Sequence, residues 1–159
     1  MTATAHLLFG YIGAGKTMLA KRLEQELGAV RFSPDEWMAR LFGDDPPEAT
    51  FQDETARVLD LMEPLWTQCL HTGADVALDF GFWRKRERDR VRDIVETLGA
   101  RTVLHHLSCP DDEARRRIAA RNMSAERSLY IAPSTFDGLK ARFEPLDPDE
   151  PCIEVWPTP

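Results

Sequence analysis

Cysteine, tyrosine and positive charge are all scarce in this chain of 159 residues, which has 3 Cys, 2 Tyr and 20 Lys+Arg against 27 Asp+Glu. Cys69, Cys109 and Cys152 are scattered, with no Cys-x-x-Cys pair and no Cys/His metal spacing. That pattern argues against a disulfide framework or a zinc finger, and predicts reduced, mostly buried thiols. Long apolar runs are also missing. Nothing approaches the roughly 18 apolar residues of a membrane span, and Leu7-Leu8-Phe9 has no basic segment before it, so a cytoplasmic protein without membrane contact is expected. A net charge of −7 argues against a surface that tracks nucleic acid throughout, although a local basic patch remains compatible with it. Internal repeats and linker-like stretches are absent, so residues 1–159 read as a single domain. The Asn-Lys-x-Asp segment typical of guanine-reading GTPases is absent as well.

What the chain does have is an alternation of strand-like and helix-like segments. His6–Phe9, Val30–Phe32, Val76–Phe80, Thr102–Leu107 and Cys152–Val155 read as short apolar strands. Helical spacing runs over Lys16–Leu27, with Gly28 as a stop, and from Ala49 to His71. In the second of these Phe51, Val58, Leu61, Leu65 and Cys69 are the expected inward positions. Ser33-Pro34-Asp35-Glu36 has the form of a capped helix start, with Ser33 as N-cap and Glu36 closing a capping box. Arg84–Leu98 and Pro110–Arg121 read as charged helices, and a further helix is expected near Thr135–Phe143. Such alternation predicts a three-layer α/β fold, a five-stranded parallel sheet wound by helices.

Between the first strand and the first helix stands Gly10-Tyr11-Ile12-Gly13-Ala14-Gly15-Lys16-Thr17, a match to G-x-x-x-x-G-K-[ST] in its required setting. Glycines at 10, 13 and 15, beside the small Ala14, let backbone N–H groups turn inward around phosphate oxygens. The helix N-terminus adds partial positive charge. Lys16 is expected on the β- and γ-phosphates of ATP, and the Thr17 hydroxyl on Mg²⁺. Asp79, near the end of an apolar strand, is the second acidic candidate, as a Mg²⁺ partner or as a group orienting the attacking oxygen. The alternative for it is a helix-capping aspartate in Asp79-Phe80-Gly81.

Other candidates lie near strand ends. Asp35 is placed to accept a hydroxyl proton, or simply to stabilise its helix N-terminus. Arg40, one turn and a residue further on, can pair with Asp35 or touch the substrate, or stand as an exposed helix arginine. Trp37, Phe82 and Trp83 can form an apolar wall for an acceptor, or pack in the core. Arg84, Arg88 and Arg92 share a helix face that suits an anionic substrate or a nucleic-acid backbone, yet Glu87 and Asp89 between them suit ordinary exposed pairing. His105 and His106, inside a strand, read as structural.

Together with Ser33-Pro-Asp-Glu-Trp, Asp79-Phe-Gly-Phe-Trp, Arg115–Asn122 and Phe143–Glu150, the glycine loop resembles the bacterial P-loop kinase family of ATP-binding proteins. That family is similar to the kinase domain of polynucleotide 5′-kinases and, more distantly, to gluconate kinase, chloramphenicol phosphotransferase and zeta toxins. The resemblance spans almost the whole chain. It implies a nucleoside-kinase-like P-loop NTPase fold with a helical lid at about residues 115–135. It also implies Asp35 facing the acceptor hydroxyl, Arg121 and then Arg117 as lid cations on the phosphates, and Trp156 with Pro157 near the adenine. An ATP- and Mg²⁺-dependent kinase acting on a small hydroxylated molecule follows as the leading expectation, with a monomer or weak homodimer as its form. A polynucleotide 5′-hydroxyl acceptor is second, and an ATP-binding switch acting through a partner is the reading from another class.

Overall fold

A computed structural model describes residues 2–125 and 129–156. Its sheet has five strands, β1 (Thr4–Phe9), β2 (Val30–Phe32), β3 (Val76–Gly81), β4 (Arg101–Leu107) and β5 (Ile153–Val155). They lie in the order β2-β3-β1-β4-β5, and every pairing is parallel. The strand at the centre, β1, is buried along its whole length, as a strand covered on both faces must be. Its side chains alternate accordingly. Leu7 and Phe9 enter the larger core with α3 (Glu48–His71) and α4 (Lys85–Thr97), while Leu8 enters a smaller one with α1 (Lys16–Leu27).

From β1 the chain crosses by α1 to the β2 edge, and later returns to the opposite side at β4. Where strand order reverses in this way, the C-terminal ends of the strands leave a crevice for ligands. The glycine loop follows β1 at that point, and α2 (Pro34–Phe42) follows β2. On the other side stand α5 (Asp111–Asn122) and α6 (Pro133–Gly138).

Three local expectations are corrected. Along α3 the buried positions are Val58, Met62, Trp66 and Leu70, whereas Leu61 and Leu65 are exposed. Both sets have helical spacing, and the wide Trp66 and Met62 side chains fill the core beneath α2. Ser33 makes no side-chain cap on α2; its hydroxyl donates instead to Asp79, 46 residues away. The helix expected over Thr135–Phe143 is split into α6 and a 3₁₀ turn at Lys140–Arg142. The thiols also depart from the expected burial, since Cys69 and Cys109 are only half-buried and Cys152 is exposed. No helix among the described residues is long and apolar enough to cross a membrane.

Candidate active site

The loop from Gly10 to Thr17 is shaped by what surrounds it. Gly13 and Gly15 have φ of 79° and 99°, left-handed values that suit glycine. A Cβ on Gly13 would lie 2.9 Å from the carbonyl oxygen of Ala114 in α5, and one on Gly10 would lie 2.9 Å from that of Leu107. Bare backbone is needed at both places. Trp83 donates its indole N–H to the Gly10 carbonyl at 3.0 Å, and its ring packs against Gly81 and Tyr11. The Tyr11 hydroxyl donates to the carbonyl of Phe136, so α6 is fastened to the loop as well.

Lys16 folds back over the loop and donates to the Tyr11 carbonyl at 2.9 Å. Surrounding protein lowers its pKa, an effect opposed by the carboxylates of Asp79 and Asp35 and reinforced by Arg121. The next residue, Thr17, donates its hydroxyl to Asp79 Oδ2 at 2.8 Å, and Ser33 reaches the same oxygen at 3.3 Å. Burial pushes the Asp79 carboxyl up to about 6 and Asp35 adds to it; Lys16 and the two hydroxyls pull it down. These two hydroxyls and one carboxylate are hard oxygen donors, a set that suits Mg²⁺. They would hold it, and the ion would supply charge neutralisation on a polyphosphate.

Asp35 is open to solvent at the start of α2, yet crowded by the walls of the crevice. That crowding raises its pKa, while Lys16 and Arg121 lower it. The charges of Lys16, Asp35, Asp79 and Arg121 thus act on one another, although they come from α1, α2, β3 and α5. The Arg121 Nε is shielded from water and has no hydrogen-bond partner among the described residues. Arg117, one turn earlier, hydrogen-bonds Glu113 at 3.1 Å and places Nη1 3.5 Å from where a Gly15 Cβ would be. Asn122 clasps Ile131 through both amide atoms, at 2.7 and 3.1 Å.

Other sequence candidates fall elsewhere. Trp37 is half-buried against the larger core, and Arg40 is exposed with no ion pair among the described residues. Trp83 braces the loop, so its indole edge is already occupied. Arg84 immediately precedes α4 and is half-buried. Arg88 is the clearest correction. It is completely buried rather than presented on an open face, pairing with Glu150 at 2.9 Å and donating to the Phe82 carbonyl at 2.9 Å. Arg92 also pairs with Glu150, at 2.7 Å. The basic face expected from Arg84, Arg88 and Arg92 is therefore largely spent within the chain. Trp156 is 73% exposed, and Pro157 lies outside the described residues, as does the middle of the lid at 126–128.

Sequence reading did not single out Ser33 as a partner of Asp79, or Tyr11 as the anchor of α6. Neither has a local signal, since each partner is distant in the chain. Phe82, offered by the sequence as an acceptor wall or a core residue, is buried in the larger core. Its φ of 54° is unusual for a bulky residue, and Arg88 holds its carbonyl just behind the crevice.

Residues 6–146 match the family described as an AAA domain. No curated protein sequence matches the chain. Among solved structures, a candidate kinase from Chloroflexus aurantiacus superposes with a TM-score of 0.76 at 16% identity, over 98% of this chain and 89% of that one. A gluconokinase from Sinorhizobium meliloti gives 0.67 at 14% identity, over 98% and 83%. A chain of the Pnkp1/Rnl/Hen1 RNA repair complex gives 0.71 at 19% identity, over 89% of this chain and 44% of that one. At such identities the likeness establishes the fold. With most of its length matched, the chain belongs to the AAA domain family and has the fold of P-loop kinases.

Proposed function

We propose that this chain is an ATP-dependent phosphotransferase that moves the γ-phosphoryl of ATP to a hydroxyl of a small molecule. One observation carries the reading: a phosphate loop, a hydroxyl–carboxylate pair, a second carboxylate and an arginine with an unpartnered Nε converge where strand order reverses. Loop amides and Lys16 bind the β- and γ-phosphates. Thr17 and Asp79, supported by Ser33, would hold Mg²⁺. Asp35 orients the acceptor hydroxyl and takes its proton as the new O–P bond forms and the bond to the β-phosphate oxygen breaks, releasing ADP. Arg121 stabilises charge on the transferring group, and closure of residues 115–135 brings it there. Residues 1–159 act as one kinase domain.

A polynucleotide 5′-hydroxyl is the second acceptor reading, motivated by the likeness to the RNA repair complex. Engagement of Arg88 and Arg92 by Glu150 makes it the weaker one. Incubation of the protein with labelled ATP and a panel of sugars, polyols, antibiotics and 5′-hydroxyl oligonucleotides, read by mass shift, tests both. Gain of one phosphate on a small molecule is the expected result. If ADP release never exceeds bare hydrolysis with any acceptor, the phosphotransferase reading fails and a nucleotide switch replaces it.

A further inference from the structure

At the β5 edge of the sheet, the pairing of β4 with β5 brings together three side chains that the phosphotransferase reading does not use. His106 is the register partner of Glu154, and Cys152 stands two residues before Glu154, on the same side of the extended chain. The His106 Nδ1 lies 2.8 Å from Glu154 Oε1, and the Cys152 Sγ lies 3.6 Å from the same oxygen. All three potential ligand atoms lie within 4.8 Å of one another.

We propose that His106 Nδ1, Cys152 Sγ and a Glu154 carboxylate oxygen form a binding site for a divalent transition metal of the Zn²⁺ type, with water as fourth ligand. The donor set decides the class of ion. A thiolate and an imidazole favour Zn²⁺ or Co²⁺ over Mg²⁺ or Ca²⁺, which prefer oxygen alone. Geometry agrees with this. Zinc bonds of about 2.0–2.3 Å imply ligand–ligand edges of roughly 3.3–3.7 Å in a tetrahedron. The Cys–Glu edge already has that length; the His–Glu pair must open by about half an ångström and the thiol must swing toward the imidazole. Both are small rotamer adjustments at a sheet edge.

The ring of Phe9 lies 5.1 Å from that of His106 and limits its orientation, so part of the ordering cost is met before an ion arrives. Half-exposed Glu154 and exposed Cys152 leave a path for ions. On binding, the thiol proton is released to solvent, and the imidazole gives up the proton that Nδ1 shares with Glu154 and carries one on Nε2 instead, which frees the Nδ1 lone pair for the ion. The metal would tie a three-residue edge strand to the body of the sheet. No Cys-x-x-Cys spacing announces such a site, because the ligands meet across two strands 46 to 48 residues apart.

The test uses the full chain stripped by chelator and titrated with Co²⁺, read by the thiolate-to-cobalt charge-transfer band, so it is independent of any kinase activity. One equivalent should saturate the band and Zn²⁺ should abolish it. Cys152→Ser should remove the band and weaken Zn²⁺ binding by about a hundredfold or more, beyond the 10–100-fold expected of outer-shell changes. Cys69→Ser and Cys109→Ser should keep it. Zn²⁺ should also raise the Tm of the unsubstituted chain and not that of Cys152→Ser. A missing band, or one that survives Cys152→Ser or disappears with Cys109→Ser, overturns the proposal.

Discussion

Arg88 offers a clean way to separate a structural cation from a substrate contact. Its side chain is fully buried, over the ring of Phe9, and it donates to Glu150 and to the carbonyls of Phe82, Glu144 and Pro145. Replacing it by leucine leaves Glu150, whose side chain is only 6% exposed, with Arg92 as its remaining cation. Breaking a buried pair by removing one partner costs about 3–5 kcal/mol. An independent figure comes from Glu150, which Arg88, first, and then Arg92 hold at about 2 against 4.5 in an ordinary setting. That difference corresponds to at most about 3 kcal/mol of stability, shared among Arg88, Arg92 and the Asp147 backbone N–H, which also donates to Glu150. Because the folded pKa is depressed, this contribution is complete above about pH 4.5 and lost as the pH falls through about 2. Urea denaturation of Arg88→Leu at neutral pH should therefore show a loss of about 3–5 kcal/mol, shrinking as both proteins approach pH 2. Arg88→Leu combined with Glu150→Gln should recover part of the loss, since the two residues are in contact. A loss under about 1 kcal/mol, the scale of an exposed pair, with a large rise in acceptor KM instead, would refute the structural assignment.

Three more predictions concern the crevice. Asp79→Asn keeps an oxygen for Thr17 and Ser33 but removes a carboxylate whose pKa is raised to about 6 from 3.8. A raised carboxyl favours the folded state only while protonated, so asparagine should stabilise the ligand-free protein by about 1–3 kcal/mol near pH 8. The gain should vanish below about pH 4, and phosphoryl transfer should fall; a loss of stability at both pH values would contradict the sign. Asp35→Asn should cut turnover by about 10²–10⁴ while ATP affinity stays within a few fold, and collapse of ATP binding would make Asp35 a structural or metal-linked group. Arg121→Ala should lower kcat by about 10²–10³ and ATP affinity much less, and equal losses in both would make it a ground-state contact.

The phosphate loop was legible in the sequence because its chemistry is contiguous. Glycines, lysine and threonine stand within eight residues, between a strand and a helix. Strand alternation was legible for the same reason, and the parallel order followed from it. Side-chain register on α3 was not, because Leu61/Leu65 and Met62/Trp66 have identical spacing and only packing against the sheet separates them. Ser33 carried a convincing capping signature, but its hydroxyl donates to Asp79 and makes no cap on its own helix. Arg88 was read as a substrate contact on an otherwise solvated helix face because its neighbours in sequence are charged. What buries it, Glu150 with the segment from Glu144, lies about 60 residues away. Long-range partners of this kind leave no local periodicity.

Calorimetric titration of the purified, folded chain with ATP in the presence of Mg²⁺ addresses the central claim most directly. One ATP should bind per chain, and Lys16→Ala should weaken that binding by at least tenfold, about 1.4 kcal/mol, without unfolding the protein. Absence of heat for any nucleoside triphosphate, or unchanged affinity in Lys16→Ala, would contradict it.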